Sequence, residues 1–360
     1  MKGSIKVGRI YGIDFELHIS WFFIFTLLFI SMGVFFRESL KGYSPVLTWS
    51  LGFITTILFF LSLLAHEFAH SFVSVRNGVP VKSITLFIFG GVARIIKEVP
   101  SPGVELKMAS AGPLCSLSLA AFFGGLWFVS KDHFEPFSLM AGYLGFINLL
   151  LALFNLLPGF PLDGGRLLRS ILWMRMGSYE RSTYIAHNFG KALAIVMGMG
   201  GLFVFVYLKL WITGVWLLLV GGFLYLAASQ SYRQAKLRVL LSKFTAESLM
   251  VRDCPQISPY TSLLEFIEVH LPLFGRKYFL VVEDDVLKGV LSPKDIKDIS
   301  LDKLSYLKVG DVMAKKLLRV NPWDRGIDVL ERLEETGASY GIVVYGGRVI
   351  GVIGREEILR

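Results

Sequence analysis

The segment from Leu51 to Leu64 is almost wholly apolar, and Phe72, Val73 and Val75 continue it. A run of this length constrains the chain more than any other feature. In hydrocarbon each backbone donor and acceptor must be satisfied inside the segment, and a helix does that. Within the run stand His66, Glu67 and His70, in the pattern H-E-x-x-H. An ionisable group in such a helix costs about 2.5–3.5 kcal/mol on insertion scales, so two histidines and a glutamate imply a function. By chance the pentapeptide falls more often on a solvated loop. Positions i and i+4 share a helix face one turn apart, so both imidazoles can reach one metal ion, and zinc takes such ligands. Glu67 is placed to accept a proton from a water that the metal activates.

The chain is 54% hydrophobic with a mean hydropathy of +0.59, above the ~45–50% apolar share of soluble proteins. Six segments approach the ~20 residues needed to cross a bilayer: about 17–36, 48–75, 106–129, 137–157, 189–208 and 211–229. The first follows Lys2, Lys6 and Arg9 like a signal peptide, but it is too long for one and no small-x-small site follows. Taking all six as spans puts 16 Lys/Arg on one side and only Arg37, Lys41, Lys131 and Lys209 on the other. The positive-inside rule then makes both termini cytosolic. Residues 231–360 are charge-rich and look like a soluble unit, so the net charge of +9 is a topology signal and not a nucleic-acid footprint. Cys115 and Cys254 are the only cysteines, too few for a disulfide framework or a thiolate metal site.

Two stretches depart from plain spans. Val81 to Ile96 is apolar and β-branched with Gly90-Gly91 in its middle. It reads equally as an interfacial loop or as a strand or hairpin in the membrane beside the site, where such backbone must line protein or a wet cavity. Span four ends in Asn155-Leu156-Leu157-Pro158-Gly159-Phe160-Pro161-Leu162-Asp163-Gly164-Gly165, where the prolines break the helix. Asp163 alone would be a cap for a helix starting at Gly164. With an H-E-x-x-H that lacks a third ligand, the metal role is favoured. Spans two and four both run inward, so both motifs lie towards the cytosolic face. A His, His, Asp set with an open position is a catalytic arrangement.

After an apolar and basic linker, Gln230 to Phe244, suited to the membrane interface, the tail repeats itself at an offset of 62 to 63 residues. Ala246–Met250 matches Val309–Met313, Tyr278–Val282 matches Tyr340–Val344, and Gly289–Ile296 matches Gly351–Ile358. Each copy reads strand, helix, strand, strand, helix, an α+β unit used twice.

These residues resemble the site-2 protease family of intramembrane zinc metalloproteases. The likeness covers residues 1–230 and rests on His66–His70, Gly90-Gly91, Ala111-Gly112-Pro113 and N-x-x-P-x-x-x-x-D-G-G from Asn155 to Gly165. It implies one Zn2+ held by His66, His70 and Asp163, with Glu67 as base and Asn155 on the substrate backbone or oxyanion. It also implies regulated intramembrane proteolysis of transmembrane substrates. The tail resembles a pair of cystathionine-β-synthase (CBS) domains, at about residues 245–300 and 306–360. That likeness implies ATP, ADP or AMP on Ser292 and Asp295, which match an S/T-x-x-D ribose motif, or else dimerisation or substrate docking. Gly354 and Glu357 replace the Ser and Asp in the second copy.

The expected protein is therefore a multi-pass α-helical membrane protein with six transmembrane helices and a cytosolic tandem α+β tail. It sits in the cell membrane, contacts lipid and binds no nucleic acid. A ligand at the tail could shift the linker and gate the substrate's path. The rival readings are a CBS-regulated transporter or channel, which leaves Glu67 unexplained, and an inactive binding homologue, which leaves the complete constellation unexplained.

Overall fold

The computed structural model describes residues 3–88, 90–95, 99–275, 277–297, 299–304 and 306–359. Lys2, Phe89, Ile96, Lys97 and Arg360, used in the sequence reading, lie outside that set. The chain divides into two units, residues 1–235 and 236–360.

The first unit opens with a hairpin the sequence reading missed, β1 (Ser4–Ile10) and β2 (Ile13–His18). The turn Tyr11-Gly12 has positive φ at both residues, as a tight hairpin turn demands. Helices α1 (Ile19–Ser39) and α2 (Pro45–Arg76) follow. The Ser44 side chain caps the start of α2, with Pro45 in its first turn, where a missing N–H costs nothing. Next come β3 (Val81–Phe87) and β4 (Gly90–Ile95), so the ambiguous stretch is a hairpin. The strands form one sheet in the order β1-β2-β3-β4. The β2/β3 pair is parallel and the other two are antiparallel, leaving β4 at an edge. Ile13, Phe15, Val81 and Ile84 pack this sheet on Leu64 and Phe68 of α2.

The remaining helices of the unit are α3 (Pro102–Ser130), α4 (Glu135–Asn155), α5 (Asp163–Met176), α6 (Tyr179–Val206) and the greater part of α7 (Trp211–Leu241), which runs on into the second unit. Among the described residues, α1, α2, α3, α4, α6 and α7 are long and apolar enough to cross a membrane. Met32, Phe36, Leu51, Phe123 and Leu144 form a core among α1 to α4. Several helices run past the predicted limits. In particular, α7 absorbs most of the segment 231–244 expected as a linker, because no Gly or Pro interrupts the chain between Gly222 and Pro255 and its residues are good helix formers.

The second unit carries α8 (Ala246–Leu249), β5 (Gln256–Ile257), α9 (Leu263–Glu265), a wide turn into α10 (Leu271–Phe274), β6 (Phe279–Glu283), β7 (Val286–Leu291), α11 (Leu301–Leu304) and α12 (Val309–Val312). Then come β8 (Leu317–Val320), α13 (Gly326–Thr336), β9 (Tyr340–Tyr345), β10 (Arg348–Gly354) and α14 (Arg355–Leu359). Its two sheets, β5-β6-β7 and β8-β9-β10, share one pattern: a parallel pair, then an antiparallel pair. The leading segments are exchanged, however. Ala246 and Met250 enter the core of Val320, Val329, Leu333 and Val343, and Val251 bridges to Val352. Val309 enters the core of Leu263, Phe266, Phe279 and Val281, and Ala314 bridges to Val290. The three-dimensional copies thus differ from the linear repeats 245–300 and 306–360.

Candidate active site

Helix α2 sorts its side chains by direction. Leu64 and Phe68 face the sheet, whereas His66 and His70, 2% and 6% exposed, face α3. Asp163, the first residue of α5, meets them. His66 Nε2 and His70 Nε2 stand 3.3 Å apart, and Asp163 Oδ2 lies 3.2 Å from the first and 3.0 Å from the second. The three form the one metal-competent cluster found among the described residues. Asp163 is not the helix cap, since the cap position is Leu162. Its carboxylate instead sits at the positive end of the α5 dipole, which favours the anion.

The outer nitrogens decide what this trio offers. His70 Nδ1 lies 2.6 Å from the Met108 carbonyl, and only a protonated nitrogen can bond a carbonyl. In the neutral ring that leaves His70 Nε2 as a bare lone pair. His66 Nδ1 bonds Ser116 Oγ at 2.8 Å. A lone pair against a carboxylate oxygen is repulsive without a cation between them. Four ligand atoms at about 2.0–2.1 Å from a tetrahedral zinc stand about 3.3 Å from one another, which is the spacing found. The donor set therefore fits zinc.

Helix α3 is the template. Met108, Gly112 and Ser116 repeat every four residues and so share one face. Met108 and Ser116 hold the histidines, and Gly112 leaves room for them. A Cβ at Gly112 would fall on His70 Nε2 and lie 2.6 Å from His66 Nε2. Glu67, next on α2, is half-buried and lies under the β4 edge, where a Cβ on Gly91 would come within about 3.0 Å of its Cδ. Asn155 ends α4 and donates its amide to Leu151 O at 3.0 Å. No described hydrogen bond joins it to the trio.

In the second unit Ser292 and Asp295 line a cavity of about 510 Å³ together with Gly354 and Glu357. The halves are laced crosswise. The Tyr340 hydroxyl donates to both oxygens of Asp295 at 2.9 Å, and that of Tyr278 donates to Glu357. Lys277 pairs with Glu357 at 3.1 Å, and Lys294 pairs with Glu356. Asp295 also accepts from Ser292 N at 2.8 Å. Burial pushes both tyrosines well above their usual range, and the carboxylates facing them add to it. Burial pulls Glu357 up, but the Tyr278 and Lys277 hydrogen bonds outweigh it and leave the carboxyl below its ordinary value. A Cβ at Gly354 would press on the Tyr278 hydroxyl and lie 2.8 Å from Glu357 Oε2, so this corner of the cavity is tightly filled around the Tyr278–Glu357 bond.

Two family models match the chain. The model of peptidase family M50 matches residues 54–137 and 130–197, and that of the CBS domain matches residues 309–360. The chain is 36% identical over 372 residues to sll0528 of Synechocystis sp., covering 100% of this chain and 96% of that protein. The chain belongs to peptidase family M50. This is the site-2 protease family of metalloproteases. Another relative, the zinc metalloprotease MJ0392 of Methanocaldococcus jannaschii, is 32% identical over 368 residues, covering 100% and 96%. A solved site-2 protease from the same organism is 34% identical, covers 64% of this chain and 95% of its own, and has a TM-score of 0.44.

Sequence reasoning brought His66, His70 and Asp163 of this M50 domain together but missed what holds them. Ser116 and Met108 were unmarked. The signal available was a serine in an apolar helix eight residues after Met108, matching the four-residue spacing of the two histidines. Arg166 and Arg169 counted only as topology charges, yet both face the fully buried Glu105.

Proposed function

We propose that this chain is an intramembrane zinc metalloendopeptidase that hydrolyses peptide bonds in or near transmembrane segments of membrane proteins, as in regulated intramembrane proteolysis. The observation that carries the reading is the convergence of His66, His70 and Asp163 beside Glu67, on and against helices long and apolar enough to cross a bilayer. Exposed Phe23, Val129, Val196, Met199 and Ile212 on those helices support a lipid-facing surface.

His66, His70 and Asp163 would hold the zinc, which when bound supplies Lewis acidity and a water of lowered pKa. Glu67 takes the water's proton and hands it to the leaving amide nitrogen. The edge of β4 over Glu67 offers backbone groups to an unwound substrate, which adds as a further strand and brings its scissile bond to the carboxylate. Asn155 donates one amide hydrogen to Leu151, and the second serves the substrate backbone or its oxyanion. Lys/Arg bias makes the termini and the second unit cytosolic, so cuts fall in the cytosolic half of the substrate's span.

The test uses the purified chain in proteoliposomes with a single-span substrate, stripped of metal and reloaded with zinc. Cleavage returns with zinc and its product ends map to the cytosolic half. Failure to cleave after reloading, or ends clustered in the outer half, overturns the reading.

For the second unit we propose a tandem CBS pair that binds one adenine nucleotide through Ser292 and Asp295. The charged and hydroxyl-rich cavity those residues line supports this. Occupied sites favour whichever state binds the nucleotide more tightly, and cleavage shifts accordingly. Calorimetry of the full chain with ATP and AMP tests it. Binding is lost in Asp295→Ala, and cleavage in that variant ignores nucleotide. No heat at millimolar nucleotide leaves the pair a dimerisation or docking module.

A further inference from the structure

Glu105, in the first turn of α3, is a fully buried carboxylate. A charge so placed persists only when paired and hydrogen-bonded. Its partner is Arg169 of α5. The guanidinium donates from Nε to both carboxylate oxygens, at 2.9 and 3.2 Å, and from Nη2 to Oε1. Its Nη1 donates to the Tyr179 hydroxyl at 2.9 Å. The same group lies 4.9 Å over the Phe160 ring and 4.8 Å over the Tyr179 ring. Arg169 is thus held by the loop before Asp163, by the helix after α5, and by α3.

Resting on Asp163 as a metal ligand, we propose that Glu105 and Arg169 form a positioning clamp that presents Asp163 to the two histidines. The register explains why the clamp sits here. Glu105 lies one helical turn from Met108, whose carbonyl orients His70. Arg169 lies under two turns from Asp163 on the same short helix. One turn of α3 therefore sets both His70, directly, and Asp163, through a bidentate charge-assisted bond whose geometry resists sliding. Nothing else described on α5 makes a side-chain ion pair across to α3 apart from Arg166, whose Nε reaches Glu105 only at 4.0 Å. Phe160 stacked on the guanidinium ties down the loop that delivers Asp163. Neither residue belongs to the metal-competent trio.

The experiment is a zinc-affinity cycle on the full chain by chelator competition, with thermal unfolding of each metal-free variant alongside. Arg169→Gln alone leaves a buried unpaired carboxylate and can unfold the protein. The paired variant Glu105→Gln/Arg169→Gln is neutral and hydrogen-bonded, and is the one compared. Zinc affinity falls about 10–100-fold in the paired variant, the scale for partners that orient ligands. Values of kcat fall while KM holds. Arg169→Lys, which keeps the charge without the fork, falls between. In an Asp163→Ala background the paired change has no further effect on zinc. A folded paired variant with unchanged zinc affinity, or an equal loss in the Asp163→Ala background, overturns the clamp. Unchanged affinity in Asp163→Ala alone removes the ligand reading, and the clamp with it.

Discussion

The two units build sites by opposite routes. In the first unit each polar group around the trio occurs once. His66, His70 and Asp163 converge, Ser116 and the Met108 carbonyl hold the imidazoles, and Gly112 leaves them space. In the second unit one arrangement is used twice, with Tyr340 on Asp295 mirrored by Tyr278 on Glu357. A reaction needs different groups in different roles, so the first site has no redundancy. A pocket between copies can carry different residues at matching positions, as Ser292 against Gly354 and Asp295 against Glu357 show. The first site should therefore break at single atoms, and the second should soften.

The largest effect expected is at Glu67. Glu67→Gln is nearly isosteric and alters none of the three proposed ligands, so zinc content stays near normal while cleavage falls roughly 10²–10⁴-fold, the range for a lost general base. Metal analysis beside an activity assay checks both halves. Retained cleavage would remove Glu67 from its role.

Next is Gly112→Ala. Its Cβ lands on the Nε2 atoms of His66 and His70, and overpacking of this kind costs about 1–3 kcal/mol, or about 5- to 150-fold in zinc affinity. Gly124→Ala is the control on the same helix, with nothing near its Cβ. Equal zinc affinity in the two variants would show that α3 is not the tight template described.

Ser116→Ala takes one partner from His66 and leaves the ring in place. Zinc affinity should fall about tenfold, the low end for such orienting groups, by the same chelator competition. A value matching the parent would mean that packing alone aims the ring.

The smallest effect belongs to the second unit. Glu357 is held below its ordinary value, near 4.5, so the folded state binds its proton less readily than the unfolded state does. The stability this lends is present above about pH 4.5 and is lost as pH falls through the lower folded value. Glu357→Gln should therefore narrow the loss of urea resistance between pH 6 and pH 3.5 in the transition of this unit. An unchanged loss would mean that the crossed bonds carry no such linkage.

Much of the first site was legible because burying ionisable groups in apolar helices is costly, so His66, Glu67 and His70 stood out. Asp163 stood out because prolines and glycines broke the helix before it. The β1–β2 hairpin was missed although Ile5 and Val7 alternate with polar residues before Tyr11-Gly12. Its charges had been read as flanks of a span. Arg169 was missed for a related reason. A count of Lys/Arg treats every cation as solvated, whereas this one is spent on a buried acid. Asn155 is placed at the end of α4, with its described hydrogen bond to Leu151 and not to the trio. In the tail, self-similarity disclosed two copies, but similarity along a chain carries no information about which copy a connecting segment joins.

That exchange limits how the tail can be handled as a part. Residues 306–359 alone would leave behind Leu241, Ala246 and Met250, which sit in their core. Residues 245–300 alone would lose Leu304 and Val309. Neither repeat is a transplantable cassette. The smallest piece that carries its own interior begins before Leu241 and ends with α14, and a graft onto another membrane protein must take along the last turns of α7 as its stem.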